Sequence, residues 1–518
     1  MSPAQPCPPL PATSLITLLR RLAQARAGSP ALRFLDPGTG HAETMTFSGL
    51  LAHAEALAAN MAARGIGPGD RVAWLGHSHP RQIALLFGLA RLGAVLVPLN
   101  HRLAPAEWSA VLADCMPRCL VHDAGFAEAA HRLCSQPAAP ACVALDALPS
   151  TGSLDGAPDA DALDRPALLV YTSGTTGTPK AAVHTQGNLL ANMAIAAQVQ
   201  GLTADDTVLT VLPLFHVGGL CIQTLPALAV GATVLLHSRF DAGATLRTIA
   251  HDRPSLTLQV PATLQALTAH PDWASTDLSC LRAAWAGSSL LPPEPLKAFM
   301  ARGVPVSNVY GSTETGPFSI ALPPDQAATH IGSCGWPAPG VEIRLLDAQG
   351  HPVPPGQVGE VCVRAPNVVT HYWPDRPALD ADSFFHSGDL AQQAGDGSFT
   401  VVGRAKDMII SGGENIYPAE IENLIATHPA VAECSVVGQA DARWGEVTVA
   451  VVVLRNPQPA GDGWDAPLRD FLDGRLARYK WPRRWVRMDT LPRTALGKVK
   501  KAELMAALKA LLETPAPE

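Results

Sequence analysis

Charge is scarce in this sequence: Asp, Glu, Lys and Arg make up 16% of its 518 residues, against the ~25% usual for soluble domains. It holds no basic cluster of the kind that neutralises nucleic-acid phosphates, and 38 basic against 45 acidic residues leave a net charge of −7. That balance argues against a nucleic-acid partner and for a small-molecule substrate. An uninterrupted apolar run of the ~20 residues a bilayer requires is also missing. The nearest approach, 218–236, contains Gln223, Pro226 and Gly231 and divides into a helix and a strand, so no integral membrane segment is expected. The N-terminus places Arg20 and Arg21 after its apolar stretch, the reverse of a secretory signal. Among the ten cysteines only Cys115 and Cys119 are close, with no second pair and no histidine pair at metal-ligand spacing. Free buried thiols in a reducing cytoplasm are the expectation.

What the chain does have is length for two to four domains, with 43 glycines and 47 prolines that mark a loop-rich enzyme. From residue 46 onward helix and strand patterns alternate. A helix is expected over 47–64, where Leu50, Ala54, Leu57 and Met61 recur at helical spacing, and a buried strand over 71–75. A second series of strands is expected at 167–171, 208–212, 233–236, 256–260, 282–286 and 305–310, which implies parallel sheets covered on both faces. Beyond Gly340 short strands lie between Gly, Pro and Asp clusters, and beyond Lys406 the pattern becomes α+β, with a final helix from Lys501.

The stretch Tyr171-Thr172-Ser173-Gly174-Thr175-Thr176-Gly177-Thr178-Pro179-Lys180 directly follows a strand. Its glycines let backbone approach a polyanion, its hydroxyls donate and Lys180 adds a cation, a set suited to a triphosphate. It is not a Walker A loop, since Pro179 precedes the lysine and Ala181 follows it. A flexible linker is disfavoured because the stretch is expected to stand between a buried strand and an amphipathic helix.

This loop resembles the signature of the adenylate-forming superfamily of acyl-CoA and aryl-CoA synthetases, luciferases and peptide-synthetase adenylation domains. Further stretches of the same family pattern follow in order: Leu214-Phe215-His216-Val217-Gly218-Gly219, Tyr310-Gly311-Ser312-Thr313-Glu314-Thr315-Gly316, Ser387-Gly388-Asp389-Leu390, Gly403-Arg404-Ala405-Lys406-Asp407, Ser411-Gly412-Gly413-Glu414-Asn415 and 491–498. The resemblance is greatest to bacterial acyl-CoA or feruloyl-type aryl-CoA synthetases. It implies an α/β fold with a large N-terminal domain of two α/β subdomains and a small β-rich subdomain (1–404), then a small mobile α+β C-terminal domain (405–518). The hinge would lie at 404–406, on Lys406, and the catalytic-lysine loop at 491–498.

The same resemblance implies an ATP-dependent acid–CoA ligase that uses Mg²⁺ and forms an acyl-adenylate. Thr172 to Gly177, Lys180, Gly287-Ser288-Ser289, Tyr310, Gly311, Ser312, Thr313, Asp389, Arg404 and Lys498 would bind ATP or AMP, with Thr175 counted among the catalytic residues. Glu314 would hold Mg²⁺, although a lone glutamate is usually a solvated loop acid. Asp389 would grip the ribose diol, against the ordinary alternative of an Asx turn, and Arg404 would be a second ribose contact rather than a surface ion-pair member. His216, Val217, Gly218 and Gly311 would line the acid pocket. His216 would position substrate and not act as a base, because a carboxylic acid is already ionised at neutral pH. Lys498 would bridge the substrate carboxylate and the α-phosphate. Gly412, Gly413, Trp444 and Tyr479 would receive CoA.

The absence of any lysine or arginine from 216–225, 284–289 and 310–316 points to a monocarboxylate, aryl or fatty. Two alternatives stay open: a stand-alone ligase that loads a carrier protein, and a non-catalytic nucleotide-binding relative. The end of the chain without a carrier module disfavours a multimodular synthetase. A homodimer is compatible with all of this.

Overall fold

The run Arg71-Val-Ala-Trp-Leu75 lacks polar alternation, and in the computed structural model of the chain it is a strand whose last four residues are buried, as coverage on both faces requires. The structure describes residues 10 and 12–513, apart from 136–138, 155, 157–161, 173–179, 288–290, 292, 412–413, 442, 456–462 and 495–496. Arg71–Leu75 belongs to an eight-stranded sheet ordered Arg376–Pro377, His371–Tyr372, Lys180–Thr185, Pro166–Thr172, Val95–Pro98, Arg71–Leu75, Cys119–His122, Ala141–Ala144. A nine-stranded sheet runs Trp336–Pro337, Ile320–Ala321, Val306–Tyr310, Ala283–Gly287, Leu256–Gln259, Thr207–Thr210, Thr233–His237, Pro30–Leu35, Ala42–Thr46. The helix Phe47–Ala63 starts on Thr46, whose hydroxyl accepts from the Gly49 N–H, and buries Leu50, Ala54, Leu57 and Met61 as its spacing requires.

The eight-stranded sheet is parallel from Pro166–Thr172 to Ala141–Ala144 and antiparallel over its other strands, and the nine-stranded sheet is antiparallel toward both ends, a correction to the expectation of parallel sheets. Antiparallel neighbours can be joined by short connections, so hairpins form there. One such pair changes the reading of the Thr/Gly-rich loop. Residues 173–179 join Pro166–Thr172 to Lys180–Thr185, which pair antiparallel with Thr172 opposite Lys180. The loop therefore closes a hairpin and does not lead from strand to helix. The helix Gln186–Gln200 begins only after the second strand, on the Thr185 cap.

The chain divides into two compact units, one of 1–288, 298–343 and 362–386, the other of 289–297, 344–361 and 387–518. Both large sheets lie in the first. The anticipated boundary at 404–406 falls inside the second, which takes in the β-rich segments before it. In that unit the strand Gly445–Leu454 alternates its burial between two cores, as period-2 geometry dictates. Ala450 and Val452 face Ile421, Ile425, Leu468 and Leu472. Val449 and Val451 face Leu491, Leu504 and Leu508. Leu491 thus anchors the start of the 491–498 loop in a core, and the helix Lys501–Glu513 follows it.

Candidate active site

At the end of the strand Val306–Tyr310 the chain enters Gly311-Ser312-Thr313-Glu314, a place where open α/β sheets present ligand-binding groups. The Glu314 carboxylate is half-buried, and its Oε1 accepts from the Tyr372 hydroxyl at 2.9 Å. Tyr372 sits on the two-residue strand His371–Tyr372, which pairs with Lys180–Thr185 and places it opposite Ala182. Its ring lies 5.7 Å from the Lys180 ammonium. One tyrosine therefore stands between a cation at the foot of the Thr/Gly-rich hairpin and the carboxylate proposed for Mg²⁺. Burial, and then the Glu314 charge, raise the phenol pKa, so Tyr372 remains a donor. The Thr172 hydroxyl donates to the Lys180 carbonyl at 3.3 Å and ties the two stems of the hairpin. Ser173, Gly174, Thr175, Thr176, Gly177, Ser288 and Ser289 lie outside the described residues.

The Gly311 segment leaves no room for a side chain: a Cβ there would lie 1.6 Å from the Pro317 carbonyl oxygen. The turn is closed by the Ser312 N–H donating to Thr315 Oγ1 at 2.9 Å. From the other side the buried Asn367 amide donates to the Thr315 and Phe318 carbonyls at 2.8 and 3.1 Å. The Tyr310 carbonyl accepts from Ser319 N–H at 3.0 Å, which fixes the strand end. Gly287 is explained by packing, since a Cβ would come within 2.6 Å of the Val309 carbonyl oxygen on the neighbouring strand.

His216 is half-buried, and its Nδ1 accepts from the Gly218 N–H at 3.0 Å. A ring nitrogen that accepts carries no proton, so the proton is on Nε2 and the neutral imidazole presents a donor. That arrangement is compatible with orienting an oxygen atom. The following residues, Gly218–Thr224, form a π-helix turn, which misaligns carbonyls that an α-helix would satisfy. Two polar side chains on the helix Gln186–Gln200 take them up: the Asn192 amide donates to Cys221 O and the Gln200 amide to Ile222 O, each at 2.7 Å. Val217 is buried, and Phe215 meets the His101 ring edge-on at 5.1 Å. Burial first, then His77 and Arg102, push the His101 pKa down to about 4, so it adds no charge beside this segment at neutral pH.

In the second unit, Asp389 and Arg404 are direct cross-strand partners. Arg404 Nε lies 2.7 Å from Asp389 Oδ1. Arg404 is thus an ion-pair member after all, its partner being the other residue expected at the ribose; register sets the pairing. Gly388, at φ 69°, makes the bend that precedes Asp389. The loop carrying Lys498 is pinned by a bridge between Arg493 and Val499, with Lys498 N–H donating to Thr494 Oγ1 at 3.1 Å and Thr494 N–H to Lys498 O at 2.7 Å. Lys498 is exposed, yet the surrounding protein displaces water from its ammonium and lowers its pKa; Arg404 lowers it further and Asp389 opposes. The same neighbours show that Asp389, Arg404 and Lys498 form one electrostatic cluster.

Lys406 is exposed on a short turn, Ala405–Asp407. Trp444 stacks under Arg443 and Arg483 at 5.0 and 4.2 Å. Tyr479, 45% exposed, lies under Lys480 at 5.6 Å. The two arginines thus make cation–π contacts with Trp444, while the Lys480 ammonium is also paired with Glu420 at 2.7 Å. Gly412 and Gly413 lie outside the described residues.

Sequence reasoning missed Tyr372, Asn367, Asn192 and Gln200. For the last two a signal existed: Asn188, Asn192 and Gln200 recur at multiples of four on a largely apolar helix, all buried. Tyr372 had none, because its partner Glu314 is 58 residues away. The half-buried Glu314 carboxylate offers the hard oxygen donors Mg²⁺ prefers, so the residues present fit that ion.

Among the described residues no helix is long and apolar enough to cross a membrane. The AMP-binding enzyme family profile matches residues 19–373, and the profile of the AMP-binding enzyme C-terminal domain matches 420–498. The chain is 44% identical to an indoleacetate–CoA ligase of Aromatoleum aromaticum over 509 residues, covering 95% of this chain and 98% of that one. It is 43% identical to a feruloyl-CoA synthase of an Amycolatopsis species over 474 residues, covering 89% and 93%. Among solved structures, the o-succinylbenzoate CoA synthetase of Bacillus subtilis in complex with its acyl-adenylate intermediate superposes with a TM-score of 0.84 at 31% identity, covering 94% of this chain and 97% of that one.

Proposed function

The chain belongs to the AMP-binding enzyme family, and from that premise we propose that it is an acid–CoA ligase for an aryl-substituted monocarboxylic acid, such as an arylacetate or arylpropenoate. ATP, Mg²⁺ and CoA are its co-reactants. The observation that carries the choice of acid is the pair of near-full-length relatives at 43–44% identity, both named for aryl acids. The site supports it: Leu214, Phe215, Val217, Leu220, Cys221 and Ile222 are buried, no lysine or arginine occurs over 216–225, and the adjacent His101 is neutral. A second carboxylate would find no partner there.

In the reaction, a carboxylate oxygen attacks the α-phosphorus of ATP and pyrophosphate leaves; the CoA sulfur then attacks the acyl carbon, losing its proton, and AMP leaves. No base is needed in the first step, because the acid is ionised. Lys180 and the hairpin loop hold the phosphates. Glu314, oriented by Tyr372, would hold Mg²⁺, which when bound offsets phosphate charge. The Nε2–H of His216 orients the acid. Asp389 takes the ribose hydroxyls with Arg404 beside it. Lys498 brings a positive charge to the two anions that must meet. Lys406 is the hinge about which residues 405–518 would turn, so that Lys498 serves adenylation while Gly412, Gly413, Trp444 and Tyr479 serve the CoA step. The cytoplasm is the compartment we propose: among the described residues nine cysteines are free thiols, as a reducing medium keeps them.

ATP–pyrophosphate exchange across indoleacetate, ferulate, octanoate and succinate tests the reading, followed by CoA-dependent AMP release. An aryl acid should lead the dicarboxylate by at least ~10²-fold in specificity. A fatty acid or dicarboxylate in first place would overturn the choice of acid, and AMP release that needs a carrier protein in place of CoA would overturn the acceptor.

A further inference from the structure

The eight-stranded sheet ends on Ala141–Ala144, which pairs parallel with Cys119–His122 through the helix Ala127–Cys134. There lies a group of side chains that the ligase reaction does not use. His122 is 2% exposed, and its Nδ1 stands 2.9 Å from the Asp123 carbonyl oxygen. A carbonyl can only accept, so Nδ1 carries the proton and Nε2 is left with a bare electron pair. That Nε2 is buried and has no hydrogen-bond partner among the described residues. Packing alone gives no reason for an orphaned acceptor in an interior.

Three side chains each bring one potential ligand atom into a common group: a ring nitrogen of His122, a ring nitrogen of His131 and the Cys142 sulfur all lie within 4.8 Å of one another. The His131 ring, on the exposed side, meets His122 edge-on at 5.6 Å. Cys134 follows His131 by one helical turn. We propose that His122, His131 and Cys142, with a solvent molecule in the fourth position, bind a borderline-soft divalent cation of the zinc class.

The donor set decides the ion. Imidazole nitrogen with thiolate sulfur suits zinc, whereas Mg²⁺ and Ca²⁺ require oxygen. With Zn–N and Zn–S bonds of about 2.0 and 2.3 Å, tetrahedral ligands stand about 3.3–3.8 Å apart, so the group needs to close by at most about 1.5 Å. The exposed His131 side chain can supply much of that by rotation. His122 already has the second-shell feature such ligands show, an Nδ1–H given to a backbone carbonyl that aims Nε2 at the metal. The sequence hid the set because its members come from two strands and a helix. Bound there, the ion would clip Ala127–Cys134 and the edge strand to Cys119–His122, and the Cys142 thiol would release its proton to solvent.

The test uses the full chain, reduced and stripped with chelator, titrated with Zn²⁺ alone against a chromophoric competitor, and with Co²⁺ in parallel. One equivalent of Zn²⁺ should bind, Co²⁺ should give a thiolate charge-transfer band, and excess Mg²⁺ should not compete. His131→Ala and Cys142→Ser should each weaken binding by at least ~10²-fold, since loss of even an outer-shell partner reaches that range. Zn²⁺ should raise the melting midpoint of the parent and of neither variant. His131 is exposed, so its variant should keep ATP–pyrophosphate exchange, which serves as the check on folding. Absence of a tight equivalent in the parent, or binding that neither substitution weakens, would overturn the proposal.

Discussion

Tyr372→Phe removes one oxygen atom and so isolates the contact with Glu314. The ring that underlies Lys180 at 5.7 Å is retained, while the 2.9 Å hydrogen bond to Oε1 is lost. A hydrogen bond to a charged group contributes ~1.5–3 kcal/mol. Both residues are only half-buried, which reduces the figure to ~1–2 kcal/mol, or about 5–30-fold at 1.4 kcal/mol per decade. If the phenol aims the carboxylate at Mg²⁺, that factor appears as a higher half-saturating Mg²⁺ concentration in ATP–pyrophosphate exchange. Thioester formation from supplied acyl-adenylate, which needs no pyrophosphate departure, should be unchanged. The raised phenol pKa keeps the donor protonated at all pH values below about 10, so the defect should be flat from pH 6 to 9. Tyr372→Ala also removes the cation–π contact, worth ~0.5–1 kcal/mol, and should add about two- to fivefold, chiefly in KM for ATP. A Phe variant whose Mg²⁺ curve lies within twofold of the parent would refute the orienting role, and equal losses by Phe and Ala in both half-reactions would make the lesion structural.

Lys498 carries a lowered pKa, so rising pH removes its charge earlier than for an ordinary lysine; adenylation kcat/KM should decline on the alkaline side below 10.5, and Lys498→Ala should lose ~10² or more in that half-reaction along with the alkaline limb. Gly311→Ala places a Cβ 1.6 Å from the Pro317 carbonyl, which no rotamer relieves; adenylation should fall by more than ~10² while circular dichroism stays native-like. Asn192→Leu leaves the Cys221 carbonyl without its amide donor and should cost ~1–3 kcal/mol in denaturant unfolding, with a shifted acid preference in the exchange panel; an unchanged preference would detach the π-helix turn from the acid pocket.

Strand and helix positions were legible wherever burial on both faces removes polar alternation, as at Arg71–Leu75 and Leu256–Gln259. The error at Lys180–Thr185 has a physical origin. Its middle residues Ala181 to His184 are all buried, which reads equally as the start of a buried helix, and only pairing with Pro166–Thr172 decides between them. Strands of two residues, such as His371–Tyr372, fall below any periodicity, and the donor that touches Glu314 sits on one of them.

The charged residues that the sequence singles out and the amides it does not do different physical work. Glu314, Asp389 and Lys498 each carry a charge within a short fixed sequence context, where it is conspicuous. Asn192, Gln200 and Asn367 are buried amides that satisfy carbonyls of irregular backbone, the π-helix turn at 218–224 and the turn after Thr315. Irregular backbone beside an acid pocket leaves carbonyls unpaired, and each must find a donor or cost free energy. The position of His216, set by the turn that leads into Gly218–Thr224, therefore depends on side chains up to 24 residues away in sequence. His122 shows the converse case. Its Nε2 is a buried polar atom with no hydrogen-bond partner among the described residues, and its position beside a second histidine and a thiol is what the proposed zinc-class ion accounts for.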